Sequence, residues 1–267
     1  MQIIISSIIM VIIIYLILIM PSMKKIAIAN NLKKYNYAHR GYHNKNNKVP
    51  ENSLKAFELA VKNGYGMELD VQLTKDLQVV VFHDETTDRM CNTKGNVRDY
   101  TYEQLREFNL LDSNEKIPLF KDVLELVNGK TPIIIEFKIY EDYKKVCSKV
   151  DKILESYNGD YCIESFNPMV LVWYKQNKPQ VMRGQLSANL KCDNFNLLYK
   201  MVQYLFFNII TKPHFIAYDY RDKSNLSGKI CRYLYKNLSI AWTIKTEKDL
   251  KDNLGDFDLF IFEGFHL

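Results

Sequence analysis

Two hydrophobic rhythms divide this chain of 267 residues. From Ile3 to Met20, 16 of 18 positions are apolar and the only breaks are Ser6 and Ser7. A helix built from such a run is apolar on every face, and at 1.5 Å per residue it reaches about 27 Å, near the hydrocarbon thickness of a bilayer. From residue 35 onward, short β-rich runs alternate with amphipathic stretches of helical spacing, which predicts a parallel α/β architecture. The strand runs fall at 37–41, 67–71, 133–138, 161–166, 182–186, 215–220, 240–244 and 259–264. Helical patterns occupy 53–64, 119–129, 143–157, 168–177, 194–210, 226–237 and 247–255, the first with Asn52 as N-cap and Gly64 as C-cap. Eight strands with seven helical crossovers predict a (β/α)8 TIM barrel.

One β-rich run, 79–84, follows the second strand too closely for a crossover helix. It reads as the return arm of a hairpin turning at 75–78, which would bring His83 beside Asp70. The stretch from about 84 to 117, with a short helical YEQLREF, then reads as an insertion on the rim. The expected organisation is an N-terminal transmembrane anchor at 1–23, a basic juxtamembrane linker at 24–34 and a barrel at 35–267. Residues 22–34 are also expected to cover the bottom of the barrel.

Charge sharpens the division, because no Lys, Arg, Asp or Glu precedes Lys24. The apolar core has no basic residue before it and no small-residue cleavage site after it, so it reads as a retained anchor more than a cleaved signal. Lys24, Lys25, Lys33 and Lys34 follow it, and the positive-inside rule puts the domain in the cytoplasm; an export signal with the domain outside is the competing reading. The five cysteines (Cys91, Cys147, Cys162, Cys192, Cys231) are odd in number and widely spaced, which suggests neither a disulfide framework nor a zinc knuckle. The net charge of +5 is spread over the chain, which argues against nucleic-acid binding; the lysines after the anchor suit anionic headgroups.

In a TIM barrel the chemistry sits at the C-terminal ends of the strands. Glu68 and Asp70 lie two apart on one strand and share a face, where two carboxylates repel unless a cation lies between them. Glu136 ends another strand with Lys138 as its same-face neighbour, and three carboxylates from adjacent strands suit Mg²⁺ or Ca²⁺. His39 and His83 each end a β-rich run beside acidic groups, where an imidazole can give or take a proton at working pH. Arg40 offers a fork of donors for phosphate oxygens, and Gly41 lets the chain turn away. Glu51 either approaches the cation site or sits before a helix whose N-terminus favours a carboxylate. His43 reads as a solvated loop residue, and His214 and His266 as structural.

These residues resemble a known family. HRG at 39–41, PENS at 50–53, ELDVQLTKD at 68–76, VVVFHD at 79–84, TDRMCNTKGNVRDYT at 87–101, IPLFKDVLELV at 117–127, EFK at 136–138, ESF at 164–166 and AWTI at 241–244 are similar, in order, to the glycerophosphodiester phosphodiesterases. The resemblance implies a TIM barrel with an insertion after the HD motif, His39 and His83 as the acid/base pair, and Glu68, Asp70 and Glu136 as ligands of one divalent cation. It implies phosphate contacts from Arg40 and Lys138, with Trp242 lining the glycerol side. The implied reaction is hydrolysis of glycerophosphodiesters to glycerol 3-phosphate and an alcohol. Lysophospholipase D-type hydrolysis of membrane lysophospholipids and a catalytically silent barrel that binds lipid headgroups are the alternatives. Departures cluster at the last two strands: Thr243-Ile244-Lys245 follows Trp242 where the family has Thr-Val-Asn, and Phe262-Glu263-Gly264-Phe265 replaces an expected Thr-Asp-x-Pro.

Overall fold

The structure, a computed structural model, describes residues 2–44, 48–189 and 196–267. An apolar helix, α1 (Gln2–Ile19), leads to a single turn, α2 (Ala29–Leu32), and then to β1 (Tyr37–Ala38). After α3 (Leu54–Lys62) come β2 (Gly66–Leu73) and an antiparallel arm, β3 (Val79–Val81). The rim insertion holds two short helices, α4 (Asp88–Cys91) and α5 (Tyr102–Leu105). The repeating unit resumes with α6 (Phe120–Val127), β4 (Ile133–Phe137), α7 (Tyr143–Leu154), β5 (Tyr161–Ser165), α8 (Pro168–Asn177) and β6 (Arg183–Ser187). It continues through α9 (Leu197–Gln203), α10 (Asn208–Thr211), β7 (Phe215–Asp219), α11 (Leu226–Lys229), β8 (Leu238–Ile244), α12 (Glu247–Lys251) and β9 (Leu259–Phe262). Eight parallel strands close into a barrel because β1 pairs with both β2 and β9. The expected TIM barrel with its hairpin is therefore the fold.

The strands are buried on both faces, which is why Ile133, Ile134 and Ile135 run without alternation. Ile133 and Ile135 pack outward with Val123, Val146 and Val170 of the helices. Ile134 points inward and joins Tyr37, Cys162, Met182, Phe215, Ile240, Leu259 and Ile261 at the floor. Leu32 of α2 belongs to the same cluster, and its carbonyl accepts a hydrogen bond from the Tyr37 hydroxyl at 3.0 Å. Residues around α2 thus cover the barrel floor, as expected of 22–34. The insertion carries a small core of its own, formed by Val80, Phe82, Met90, Val97, Leu105, Leu110 and Ile117.

Local details depart from the sequence reading. Ser53, not Asn52, caps α3 by accepting from the Ala56 amide, which frees the Asn52 side chain for another task. In the hairpin Val71 faces Val81, so the residue bonded to the Asp70 carbonyl is Phe82, one position before His83. The run expected as one helix over 194–210 breaks into α9 and α10, and its first two residues lie outside the described residues, as does Cys192. The break falls at Leu205, whose φ of 60° is left-handed, and beside it the Ser187 hydroxyl donates to the Val202 carbonyl at 3.0 Å and the Tyr218 hydroxyl to that of Gln203 at 2.9 Å. Likewise the run at 226–237 is α11 followed by a π-helical turn, Ile230–Leu234. The four described cysteines are buried and free.

Candidate active site

Strand ends at one mouth of the barrel gather a single cavity lined by His39, Arg40, Glu68, His83, Glu136, Lys138, Glu164, Phe166 and Trp242. The parallel register explains the gathering, since Asp70 pairs with Glu136 and Glu136 with Glu164 on successive strands. The turn after β1 is sharp. Arg40 has φ 53°, Gly41 has φ 79°, and a Cβ at Gly41 would lie 2.9 Å from that of Ala56. This turn aims the Arg40 amide at Glu68 Oε2, 2.9 Å away, and its guanidinium at Glu51, with Nη1 2.6 Å from Oε1.

Ligand oxygens of Glu68, Asp70 and Glu136 lie within 4.8 Å of one another. Burial raises Glu68 well above the usual carboxylate range, and the charges of Asp70 and Glu136 raise it further. Asp70 goes the other way: burial would raise it, but Lys138, His83, Arg40 and a 2.8 Å hydrogen bond from Asn52 Nδ2 hold it low. Burial and Asp70 raise Glu136, against the pull of Lys138 Nζ at 2.6 Å. Glu164, buried beside Glu136, is raised well above its ordinary value as well. The pocket therefore holds more carboxylate than Arg40 and Lys138 neutralise.

The two imidazoles are braced alike. His39 Nδ1 donates to Glu263 at 2.9 Å and His83 Nδ1 donates to Asp84 at 2.7 Å, which leaves Nε2 free on each. His39 Nε2 lies 4.0 Å from Glu68 Oε2. Burial lowers the His39 pKa below its ordinary value, and the hydrogen bond to Glu263 opposes that shift. Glu263 is correspondingly held at about 2, chiefly by that hydrogen bond. Trp242 meets Phe166 edge-to-face at 5.8 Å, and its indole Nε1 has no hydrogen-bond partner among the described residues.

All nine candidate residues lie at this mouth; Glu51 stands just before α3 and is held by two arginines. Its carboxylate bridges Arg40 and Arg89, with Arg89 Nη2 at 2.7 Å, and Arg89 also binds Asp84 with Nε at 2.6 Å. An insertion residue thereby couples the Arg40 turn to the support of His83. The sequence reading missed Arg89, Asn52, Glu164 and Glu263 as site residues. Signals existed for all four: Asn52 sits in the PENS motif, Arg89 in the run at 87–101, Glu164 in the ESF motif, and Glu263 where the family pattern departs.

A sequence model of the glycerophosphoryl diester phosphodiesterase family matches residues 39–201. A glycerophosphodiester phosphodiesterase of Caldanaerobacter subterraneus is 37% identical over 188 residues, covering 65% of this chain and 76% of the relative. The crystal structure of a glycerophosphodiester phosphodiesterase from Thermotoga maritima superposes with a TM-score of 0.67 at 26% identity, covering 85% of this chain and 94% of that one. An Oleispira antarctica phosphodiesterase, solved in complex with the product sn-glycerol-3-phosphate, shares the fold with a TM-score of 0.69 at 20% identity, covering 85% and 92%. With the barrel, its hairpin and the mouth residues in place, the chain belongs to the glycerophosphodiester phosphodiesterase family of phosphoric diester hydrolases.

Proposed function

We propose that this hydrolase cleaves glycerophosphodiesters to glycerol 3-phosphate and an alcohol, using a divalent cation at Glu68, Asp70 and Glu136 and proton transfer by His39 and His83. The observation that carries this reading is the convergence at one mouth of two carboxylate-braced imidazoles, a three-carboxylate cluster and two cationic side chains. The donor set fits such an ion chemically. It is all oxygen, Glu68 Oε1 is buried with no hydrogen-bond partner among the described residues, and an added positive charge would return the raised carboxylates to their ionised form. Mg²⁺ and Ca²⁺ both suit it.

When bound, the cation supplies Lewis acidity toward the phosphoryl oxygens. Arg40 and Lys138 bind the anionic oxygens of the diester, and Lys138 stays charged because Glu136 and Asp70 outweigh its burial. One imidazole takes a proton from the attacking hydroxyl or water, and the other gives one to the departing alkoxide oxygen. Glu263 and Asp84 fix the tautomers, so that Nε2 is the transferring atom in each case. Trp242, with its unpartnered indole N–H, borders the glycerol side.

The test is turnover of glycerophosphocholine by the purified chain. His39→Ala and His83→Ala should each lower kcat by about 10²-fold or more, and chelation should abolish turnover until Mg²⁺ or Ca²⁺ is restored. Activity that survives chelation and both substitutions sinks the mechanism.

The exposed apolar α1 supports a membrane tether, with Lys24, Lys25, Lys33 and Lys34 favouring a cytoplasmic barrel. Protease protection of sealed vesicles checks the side.

A further inference from the structure

The course of α1 along the barrel has a direction. Near its C-terminal end the Ser22 amide donates to the carbonyl of Pro213, just before β7 and hence at floor level, at 2.9 Å. One step up, the Ile19 carbonyl accepts from Asn208 Nδ2 at 2.7 Å and from Cys231 Sγ at 3.4 Å. A further turn up, the Tyr15 hydroxyl meets Ser227 Oγ at 2.8 Å, and its ring meets Phe206 edge-to-face at 5.9 Å. Ser227 opens α11, the helix that descends from the mouth end of β7 toward β8. Followed toward its N-terminus, α1 therefore runs from the floor in the direction of the mouth, with the Leu16 carbonyl held by the Tyr235 hydroxyl at 2.9 Å on the way, and the Ile side chains of residues 3–14 are exposed.

That segment, residues 2–14, is short. Thirteen residues rise about 20 Å, and the whole helix about 27 Å, against roughly 30 Å of hydrocarbon. For all of that segment to lie in lipid, the boundary must come down to Tyr15, where α1 leaves the barrel and its hydroxyl meets Ser227 near the start of α11. The rim there is apolar. Helix α9 exposes Leu197, Leu198 and Tyr199, and α11 begins with Leu226, which is 60% exposed. Between α9 and the loop after β5 runs a groove lined by Phe166, Met169, Leu198, Tyr199, Val202 and Phe207. Phe166 also lines the catalytic cavity, so the groove adjoins it.

We propose that the catalytic mouth is held against the membrane: the rim formed by α9 and the start of α11 settles into the headgroup region of the bilayer that α1 enters. The inference rests on the anchor reading above. Interfacial apolar surfaces settle into that region, and a bilayer accommodates a span shorter than its hydrocarbon by thinning around it. Diesters carried by amphiphiles then reach the cavity from the lipid surface, their apolar part passing along the Phe166 groove. Lys33 and Lys34 follow α2 at the floor, where Lys33 Nζ pairs with Asp258 at 2.9 Å, so in this arrangement the lysines serve to orient the chain on insertion.

The experiment uses the full chain in vesicles of phosphatidylcholine and phosphatidylglycerol containing a lipid with a shallow nitroxide quencher. A fluorophore is attached to a cysteine at Ile5, Leu198, Ile210 or Ser156 in a Cys192→Ser background; the other four cysteines are buried. Ile210 lies exposed on the flank and Ser156 at the floor end. The labels on Ile5→Cys and Leu198→Cys should lose at least half their emission, while those on Ser156→Cys and Ile210→Cys keep theirs. Quenching at Ile5 without quenching at Leu198 overturns the mouth-facing arrangement and leaves the anchor standing. Quenching at Ile210 with Leu198 bright lays the barrel on its side and overturns it too. A bright label at Ile5 removes the anchor itself, and the proposal with it.

Discussion

Glu263→Gln isolates one hydrogen bond of the proposed proton-transfer pair. The wild-type carboxylate accepts from His39 Nδ1 at 2.9 Å, and the two side chains are 27% and 18% exposed. A hydrogen bond to a charged group is worth about 1.5–3 kcal/mol, and a neutral one roughly half as much. Glutamine keeps the size and an acceptor oxygen, and partial exposure screens the lost charge, so the loss is about 1 kcal/mol or slightly more. That converts to about a 5- to 10-fold fall in kcat. KM should change little, because Glu263 acts through His39.

Steady-state hydrolysis of glycerophosphocholine at saturating cation measures both constants, and a pH series adds a second readout. Glu263 raises the His39 pKa against burial; without it the value drops further, and any activity limb set by His39 moves to lower pH. A structural defect would not move that limb. A kcat within twofold of wild type, or a loss confined to KM, would refute the assignment of Glu263 as the residue that orients His39.

The floor supplies a stability test. Leu32 is 1% exposed in the inward cluster, so Leu32→Ala should cost about 2–5 kcal/mol in urea unfolding; a loss under about 1 kcal/mol would mean that the floor closes without it. His214 supplies a pH test. Burial, aided by Arg183, lowers its pKa from 6.5 to about 3, and its Nδ1 accepts from the Arg183 amide at 3.3 Å. Between those values the unfolded chain binds a proton that the native chain does not, so stability falls as the pH drops from 6.5 toward 3. His214→Asn should flatten that dependence by up to about 1.4 kcal/mol per pH unit; an unchanged slope would place the acid sensitivity elsewhere.

Much of this molecule is legible in its residues taken in order. The barrel follows from alternating short strands and helices, because burial on both faces writes a strand as an apolar run and a crossover helix as an amphipathic one. The hairpin follows from a linker too short for a crossover. The shared face of Glu68 and Asp70 follows from the period of a strand. Each of these rests on spacing within one element. The remainder depends on which elements become neighbours. Glu263 reaches His39 only because the closing barrel pairs β9 with β1. Asn52 turns toward Asp70 only because Ser53 takes over the cap and the backbone there adopts a positive φ. Arg89 joins Glu51 to Asp84 across 38 and 5 residues of chain, distances that the insertion's own core sets. Composition alone made the first helix apolar. Its direction along the barrel was decided by the side chains of Ser227, Asn208 and Cys231 on other helices, which no pattern within α1 could encode.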